Sequence, residues 1–259
     1  MSRVLAIGDI HAPATHPGYL QFCKDLRAEW KCNQIIFMGD VIDFQAISFH
    51  ANNPNCPGAD DEYILARQQI KLWYRAFPKA KVCIGNHDER VIRLAESVNI
   101  PSRFIRDYRE TWSTPGWDWR HEHIIDGVYY FHGTGQGGVH PAWNTAGKML
   151  MPVVMGHCHS RAGVKWRANP MQRVFSVDVG CGIDVDAYQF AYGKHIKERP
   201  ILSAAVILDG VPYHEIMPCG RGEKYHKSRF THQRKASCGH SIAEPHAIPT
   251  TGSSTTTAF

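Results

Sequence analysis

Val4-Leu5-Ala6-Ile7-Gly8-Asp9-Ile10-His11 runs through four apolar residues and stops abruptly at glycine, aspartate and histidine. A short unbroken apolar run of this kind reads as a buried strand delivering polar groups at its carboxyl end. The pattern recurs twice. Ile35–Met38 ends in Gly39-Asp40, and Lys81–Ile84 ends in Gly85-Asn86-His87-Asp88. Between the strands, Leu20, Cys23, Leu26 and Trp30 recur at helical spacing, and Ala66, Ile70, Trp73 and Phe77 share one face of a helix over 61–77. Residues 89–98 read as a third helix. Strand and helix alternating three times predict an α/β layered fold with parallel strands, whose ligand sites lie beyond the strands' carboxyl ends.

The second half has a different texture. Asp126-Gly127 separates the apolar runs 121–126 and 128–131, and Asp209-Gly210 separates 201–208 from 211–216, each a hairpin signal. Pro152–Met155 and Val174–Val179 add short strands. This half is expected to form a mostly antiparallel sheet packed on the first.

Of the 259 residues, 43% are hydrophobic and 20% charged, an ordinary globular balance that excludes wholesale disorder or a fibrous repeat. No apolar run approaches the roughly 20 residues of a membrane span. Val4–Ile7 is too brief for a secretion signal, so a cytoplasmic protein with no membrane partner is expected. The eight cysteines form no CxxC pair and read as small buried hydrophobes rather than a disulfide framework or zinc ribbon.

The net charge of +5 is uneven. Residues 1–218 carry 23 basic and 22 acidic side chains, whereas 219–259 carry six basic side chains against Glu223 and Glu244. Two units are therefore expected: a catalytic domain over 1–218 and a basic, partly mobile tail over 219–259, Ser/Thr-rich at its end. Such a tail suits phosphate contacts with nucleic acid, or simply solvation. His226, His232, His240 and His246 within it lack ligand spacing.

Five blocks at strand ends carry the chemistry: Gly8-Asp9-Ile10-His11, Gly39-Asp40, Gly85-Asn86-His87-Asp88, His132-Gly133 and Gly156-His157-Cys158-His159. Nitrogen and oxygen ligands of this sort suit divalent first-row ions. Asp-x-His and His-x-His place side chains at i and i+2 on one face of an extended segment. The ligands are too many for one open ion and fit two sharing a carboxylate, an arrangement that clamps phosphate and generates hydroxide at neutral pH. Taken singly, each block has a plainer reading. Gly-Asp is a turn, His132 a core histidine bonded to backbone, and His157-Cys158-His159 a mononuclear zinc fragment. The glycines would keep Cβ atoms out of the substrate's way.

The five blocks in this order resemble the calcineurin-like metallophosphoesterase superfamily over about residues 3–218. That resemblance implies an α/β four-layer αββα sandwich, two stacked mixed sheets flanked by helices. It implies one metal held by Asp9, His11, Asp40 and His159, and a second by Asp40, Asn86, His132 and His157, with Asp40 bridging. Two divalent ions follow, manganese first, with iron, zinc or nickel as alternatives. His87 would touch the substrate phosphate and serve as general acid, with Asp88 orienting its ring or raising its pKa. Asp43 is read as a helix cap or a support for the ligands. Arg90 is read as a surface ion pair or a phosphate contact, and His140 as a solvated loop residue. Cys181 and Asp184 are candidates to line the cleft.

Gly39-Asp40 continues into Val41-Ile42-Asp43-Phe44, without the arginine that protein phosphatases of this family carry after the second aspartate, and Asn86-His87-Asp88 resembles the phosphodiesterase and nuclease branches. A metal-activated hydroxide attacking a nucleic acid or nucleotide diester is therefore the leading expectation. A nucleotide or protein phosphatase, and a metal-binding scaffold without activity, are the alternatives.

Overall fold

The computed structural model describes residues 2–49, 54–187 and 198–218. In chain order they form β1 (Arg3–Ile7), α1 (Tyr19–Glu29), β2 (Gln34–Phe37), α2 (Ala59–Ala76), β3 (Ala80–Cys83), α3 (Arg90–Ser97), α4 (Tyr108–Trp112) and β4 (Trp117–Arg120). Then come β5 (Glu122–Ile125), β6 (Val128–Phe131), α5 (Pro141–Met149), β7 (Val153–Met155), β8 (Gly163–Ala168), β9 (Arg173–Asp178), β10 (Ser203–Leu208) and β11 (Val211–Ile216).

The strands make two sheets, ordered β11-β10-β1-β2-β3-β4 and β5-β6-β7-β9-β8. Strands β1 to β4 run parallel. Along β1 the pleat divides the apolar run between two cores. Leu5 and Ile7 face α1 and α2, among Tyr19, Phe22, Trp73, Phe77 and Trp117. Val4 and Ala6 face the second sheet, among Met38, Tyr130, Val154 and Val177. A strand buried on both sides has no polar position, which explains the unbroken hydrophobicity of Val4–Ile7. On the far side of the second sheet α5 buries Ala142, Thr145 and Ala146. Two stacked mixed sheets flanked by helices are thus the α/β architecture of this chain.

The second sheet is not mostly antiparallel. Its outer pairs β5–β6 and β8–β9 are antiparallel, but β6, β7 and β9 are parallel. The reason is α5, a helix concealed in sequence by Gly147 and by the glycine-rich segment before it. A helical crossover between β6 and β7 returns the chain in the same direction. The hairpin β10–β11 also belongs elsewhere, since β10 pairs antiparallel with β1 and extends the first sheet. Both Asp-Gly turns form as expected. Asp126 and Gly127 lie at φ 49 and 76, and Asp209 and Gly210 at φ 51 and 77, the left-handed pair that a two-residue hairpin needs.

Among the described residues no helix is long and apolar enough to cross a membrane. Cys23, Cys32, Cys83 and Cys181 are buried free thiols. The basic extension 219–259, with its histidines, lies outside the described residues.

One hydroxyl locks α1 beneath the first block. Tyr19, fully buried, donates to the Ser203 carbonyl at 2.6 Å and accepts the Gly8 amide at 3.1 Å. Tyr19→Phe removes both bonds and strands a buried amide, which costs about 1–3 kcal/mol. Urea denaturation is expected to show that loss, with an unchanged slope against denaturant.

Candidate metal centre

Because β1, β2 and β3 are parallel in one sheet, and β6 and β7 in the other, the five blocks emerge at one end of the sandwich. Backbone amides stitch them together there. Asp9 Oδ2, after β1, accepts the His157 amide, after β7, at 2.8 Å. Asp40 Oδ1, after β2, accepts the His87 amide, after β3, at 2.8 Å. The Asp88 carboxylate accepts the amides of Ile42 at 3.1 Å and Gly85 at 2.9 Å.

The expected ligands Asp9, His11, Asp40, Asn86, His132, His157 and His159 all meet in this cluster. Asp9, His11, Asp40 and His159 offer ligand atoms within 4.8 Å of one another, and so do Asp40, His132 and His157. Asp40 belongs to both groups. Its Oδ2 stands 3.2 Å from His132 Nε2 and 3.7 Å from His11 Nε2. Asn86 Oδ1 and His157 Nδ1 lie 3.0 and 3.2 Å from His132 Nε2. His159 Nε2 lies 3.0 Å from Asp9 Oδ2 and 3.3 Å from His11 Nε2.

Second partners settle which ring nitrogens face inward. His132 Nδ1 donates to the Met38 carbonyl at 2.9 Å, and His11 Nδ1 donates to Asp43 Oδ1 at 2.8 Å. Each leaves an Nε2 lone pair facing carboxylate oxygens and other imidazoles. Acceptors thus converge on acceptors, and buried Asp9 Oδ1 has no hydrogen-bond partner among the described residues. The residues fit divalent cations with nitrogen and oxygen ligands.

Burial and neighbouring charge act on these groups in different directions. Burial, then His87, lowers the pKa of His11, and burial, then His132, lowers that of His157, so both are neutral as ligands must be. Burial alone would raise Asp40, but His132 and His87 outweigh it and hold the carboxyl well below the usual range. For His132 burial is outweighed by Asp40 and Asp9, which push it up to about 10.

Local backbone geometry departs from the strand-face expectation. His11, Asp40 and His157 adopt φ of 45, 44 and 66, the left-handed region that side chains rarely occupy. Tight left-handed turns, not strand alternation, bring i and i+2 together. The glycines likewise make room for neighbouring ligands rather than for substrate. A Cβ on Gly85 would stand 2.1 Å from Asp40 Oδ1, and one on Gly39 2.5 Å from His132 Nδ1.

Several expectations are corrected. Asp88 does not orient His87, because its carboxylate is taken by the Ile42 and Gly85 amides. Asp43 does that work. His87 Nδ1 donates to the Asp43 carbonyl at 2.7 Å, and Asp43 Oδ1 stands 3.2 Å away. Burial would lower the His87 pKa, but Asp40 and Asp43 raise it, with Arg90 opposing. Asp43 caps no helix; it is buried and shared by His11 and His87. Arg90 makes neither a surface ion pair nor an exposed contact, being buried against His87. Cys158 Sγ turns to the Gln136 carbonyl, outside both ligand groups, which removes the mononuclear zinc reading. His140 is exposed, as expected. Cys181 is a buried backbone bridge to Asp9, and the Asp184 carboxylate accepts the Asp186 amide.

A double-sheet α/β sandwich with carboxylates and imidazoles gathered at one end is the frame of a metal-dependent phosphoesterase. The calcineurin-like phosphoesterase family model matches residues 2–187, and the chain belongs to that family. Its members bind divalent metals, for which the two groups are candidate sites. Solved structures similar to the chain include Vps29 from Chaetomium thermophilum, at 12% identity and TM-score 0.46, covering 87% of this chain and 94% of that one. A metallophosphoesterase from Sphaerobacter thermophilus matches at 14% identity and TM-score 0.44, covering 91% and 94%. Yfce, a phosphoesterase from E. coli, matches at 12% identity and TM-score 0.41, covering 81% and 90%. No curated protein matches the sequence.

Asp43→Ala removes the carboxylate bonded to His11 Nδ1 while leaving in place every residue of the two groups that share Asp40. Loss of such a supporting partner typically costs 10–100-fold in metal affinity. Zinc or manganese titration of the purified protein is expected to show a weakening of that order, with a folded circular-dichroism spectrum.

Proposed function

We propose that the chain is a hydrolase working with two divalent ions, manganese first among them, on phosphodiesters of nucleic acids or nucleotides. The observation that carries this reading is Asp40, whose one carboxylate belongs to both ligand groups. Asp9, His11 and His159 would hold one ion, Asn86, His132 and His157 the other, and Asp40 both. When bound, a pair of ions so placed polarises a phosphoryl oxygen and lowers the pKa of water towards neutrality.

The chain's own residues do the rest. The cluster is partly exposed at Asn86, His87, His157 and His159, the His87 and His159 side chains being 17% and 24% exposed, whereas His11 and Asp40 are closed off. A phosphoester therefore enters beside His87, whose Nε2 stands 3.9 Å from Asp40 Oδ2. The substrate's negative charge joins Asp40 and Asp43 in favouring the imidazolium, and His87 gives that proton to the departing oxygen. Asp43 keeps the ring aimed. Support for the diester preference comes from the segment after Asp40. The residue after Asp43 is Phe44, packed against the core, so no guanidinium projects from that position to grip a phosphate dianion.

Hydrolysis of bis-p-nitrophenyl phosphate and p-nitrophenyl phosphate, with and without manganese, tests the reading. Metal-dependent turnover of the diester is expected, reduced roughly 10²–10⁴-fold in His87→Ala with metal content retained. Activity on the monoester alone would overturn the diester preference. No turnover with manganese, iron, zinc or nickel would overturn the hydrolase and favour a binding module.

A further inference from the structure

Arg90 is 8% exposed, and among the described residues no carboxylate lies within ion-pair distance of it. A buried guanidinium needs partners, because removing its charge from water costs several kcal/mol. Its partners here are carbonyls and an imidazole. Nη1 donates to the Asp43 and Phe44 carbonyls, both at 2.8 Å, and Nη2 lies 3.2 Å from His87 Nε2. The Asp43 carbonyl that receives Nη1 also receives His87 Nδ1. One planar fork thus ties the turn after Asp40 to the ring that stands over Asp40.

We propose that Arg90 is the positioning residue of this site, fixing the His87 ring with Nδ1 towards Asp43 and Nε2 towards Asp40. The proposal rests on the phosphoesterase reading for its consequence, but not for its geometry. A guanidinium only donates, so Nη2 selects the neutral ring with its Nε2 lone pair inward, the form that takes up its proton only once substrate is bound. Rotating the imidazole by half a turn about Cβ–Cγ would set carbon atoms against both Nη2 and the Asp43 carbonyl. Sequence places Arg90 three residues after His87, at the first turn of α3, so the helix start carries the clamp back to the catalytic loop. Phe44 supplies the second carbonyl from a left-handed conformation, φ 50, which turns it towards Arg90. A lysine cannot replace the fork, since one ammonium cannot reach two carbonyls and a ring nitrogen in this fixed geometry.

The test uses the full chain with Arg90→Met, which keeps the apolar stem, and Arg90→Lys, which keeps the charge. Metal content is expected to stay at the wild-type value, because Arg90 has no hydrogen bond to any residue of the two groups that share Asp40. Turnover of the best phosphoester is expected to fall about 10–100-fold in both variants, the cost usual for a supporting partner, with KM within about threefold. In a His87→Ala background Arg90→Met is expected to add no further loss, since both changes remove one function. A crystal structure of Arg90→Met is expected to show the His87 ring turned from Asp43, a readout independent of activity. Unchanged turnover, a loss that persists undiminished in the His87→Ala background, or an unmoved ring in the crystal would each overturn the proposal. A wild-type protein without turnover, combined with a displaced ring in Arg90→Met, would overturn the phosphoesterase reading and support the positioning.

Discussion

Four aspartates, Asp9, Asp40, Asp43 and Asp88, lie at or near zero exposure within one end of the sandwich, and an ionised carboxylate taken out of water costs several kcal/mol unless it is paired. The structure compensates by making each carboxylate the acceptor for another strand end. Asp9 joins β1 to β7, Asp40 joins β2 to β3, and Asp88 returns the tie from β3 to β2. These bonds belong to the fold as much as to the site. They fix how far apart the sheet ends stand, and hence where the imidazoles meet.

That stitching explains the unusual backbone. Left-handed φ at a non-glycine residue costs of order 1–3 kcal/mol and persists only where surroundings over-determine it. His11, Asp40 and His157 are all left-handed, and each lies in a block held by a cross-strand bond. His11 gives its amide to the Asp40 carbonyl at 2.9 Å, and Gly156 gives its amide to the His132 carbonyl at 3.0 Å. At these three ligand positions the strain is carried by bonds running to the neighbouring block. The two cores beneath are too tightly packed to relax it, with Ile7 and Ile10 wholly buried under the first block.

The first half of the fold was legible because a strand buried on both faces leaves an unbroken apolar run, and each run here stops at its chemistry. Helices α1 and α2 were legible from their single apolar faces. What stayed hidden had weak local signals. The four residues of β4, Trp117–Arg120, alternate aromatic and charged but form too short a run to stand out, and α5 contains a glycine whose reason lies elsewhere, since a Cβ on Gly147 would stand 2.3 Å from the Arg167 guanidinium. Missing α5 made the second sheet read as antiparallel. In the site, the inward-facing groups announce themselves by residue type. The supports do not. In sequence Asp43 reads as a cap before a ligand support and Arg90 as a surface ion pair before a phosphate contact, and the meeting of the β2 and β3 loops shows that both hold His87. Asp88, adjacent to His87 in sequence, was the natural choice for that task, yet its side chain points back into the backbone.

The division of labour among the carboxylates follows from environment rather than residue type. Asp88 meets burial and the nearby charge of Asp40, which together push its carboxyl up to about 7 despite two amide bonds. Asp43 meets burial too, but the hydrogen bonds and charges of His11 and His87 prevail and hold it far below the usual range. Two buried acids of one site thus diverge, one towards the neutral form and one towards the anion. The His132 ring rises for the complementary reason, taking a proton where negative charge is densest. A buried cluster in which Asp88 and His132 are both pushed towards their protonated forms is one whose negative charge positive ions would balance. Metal affinity and fold at this end of the sandwich are therefore set by the same charges.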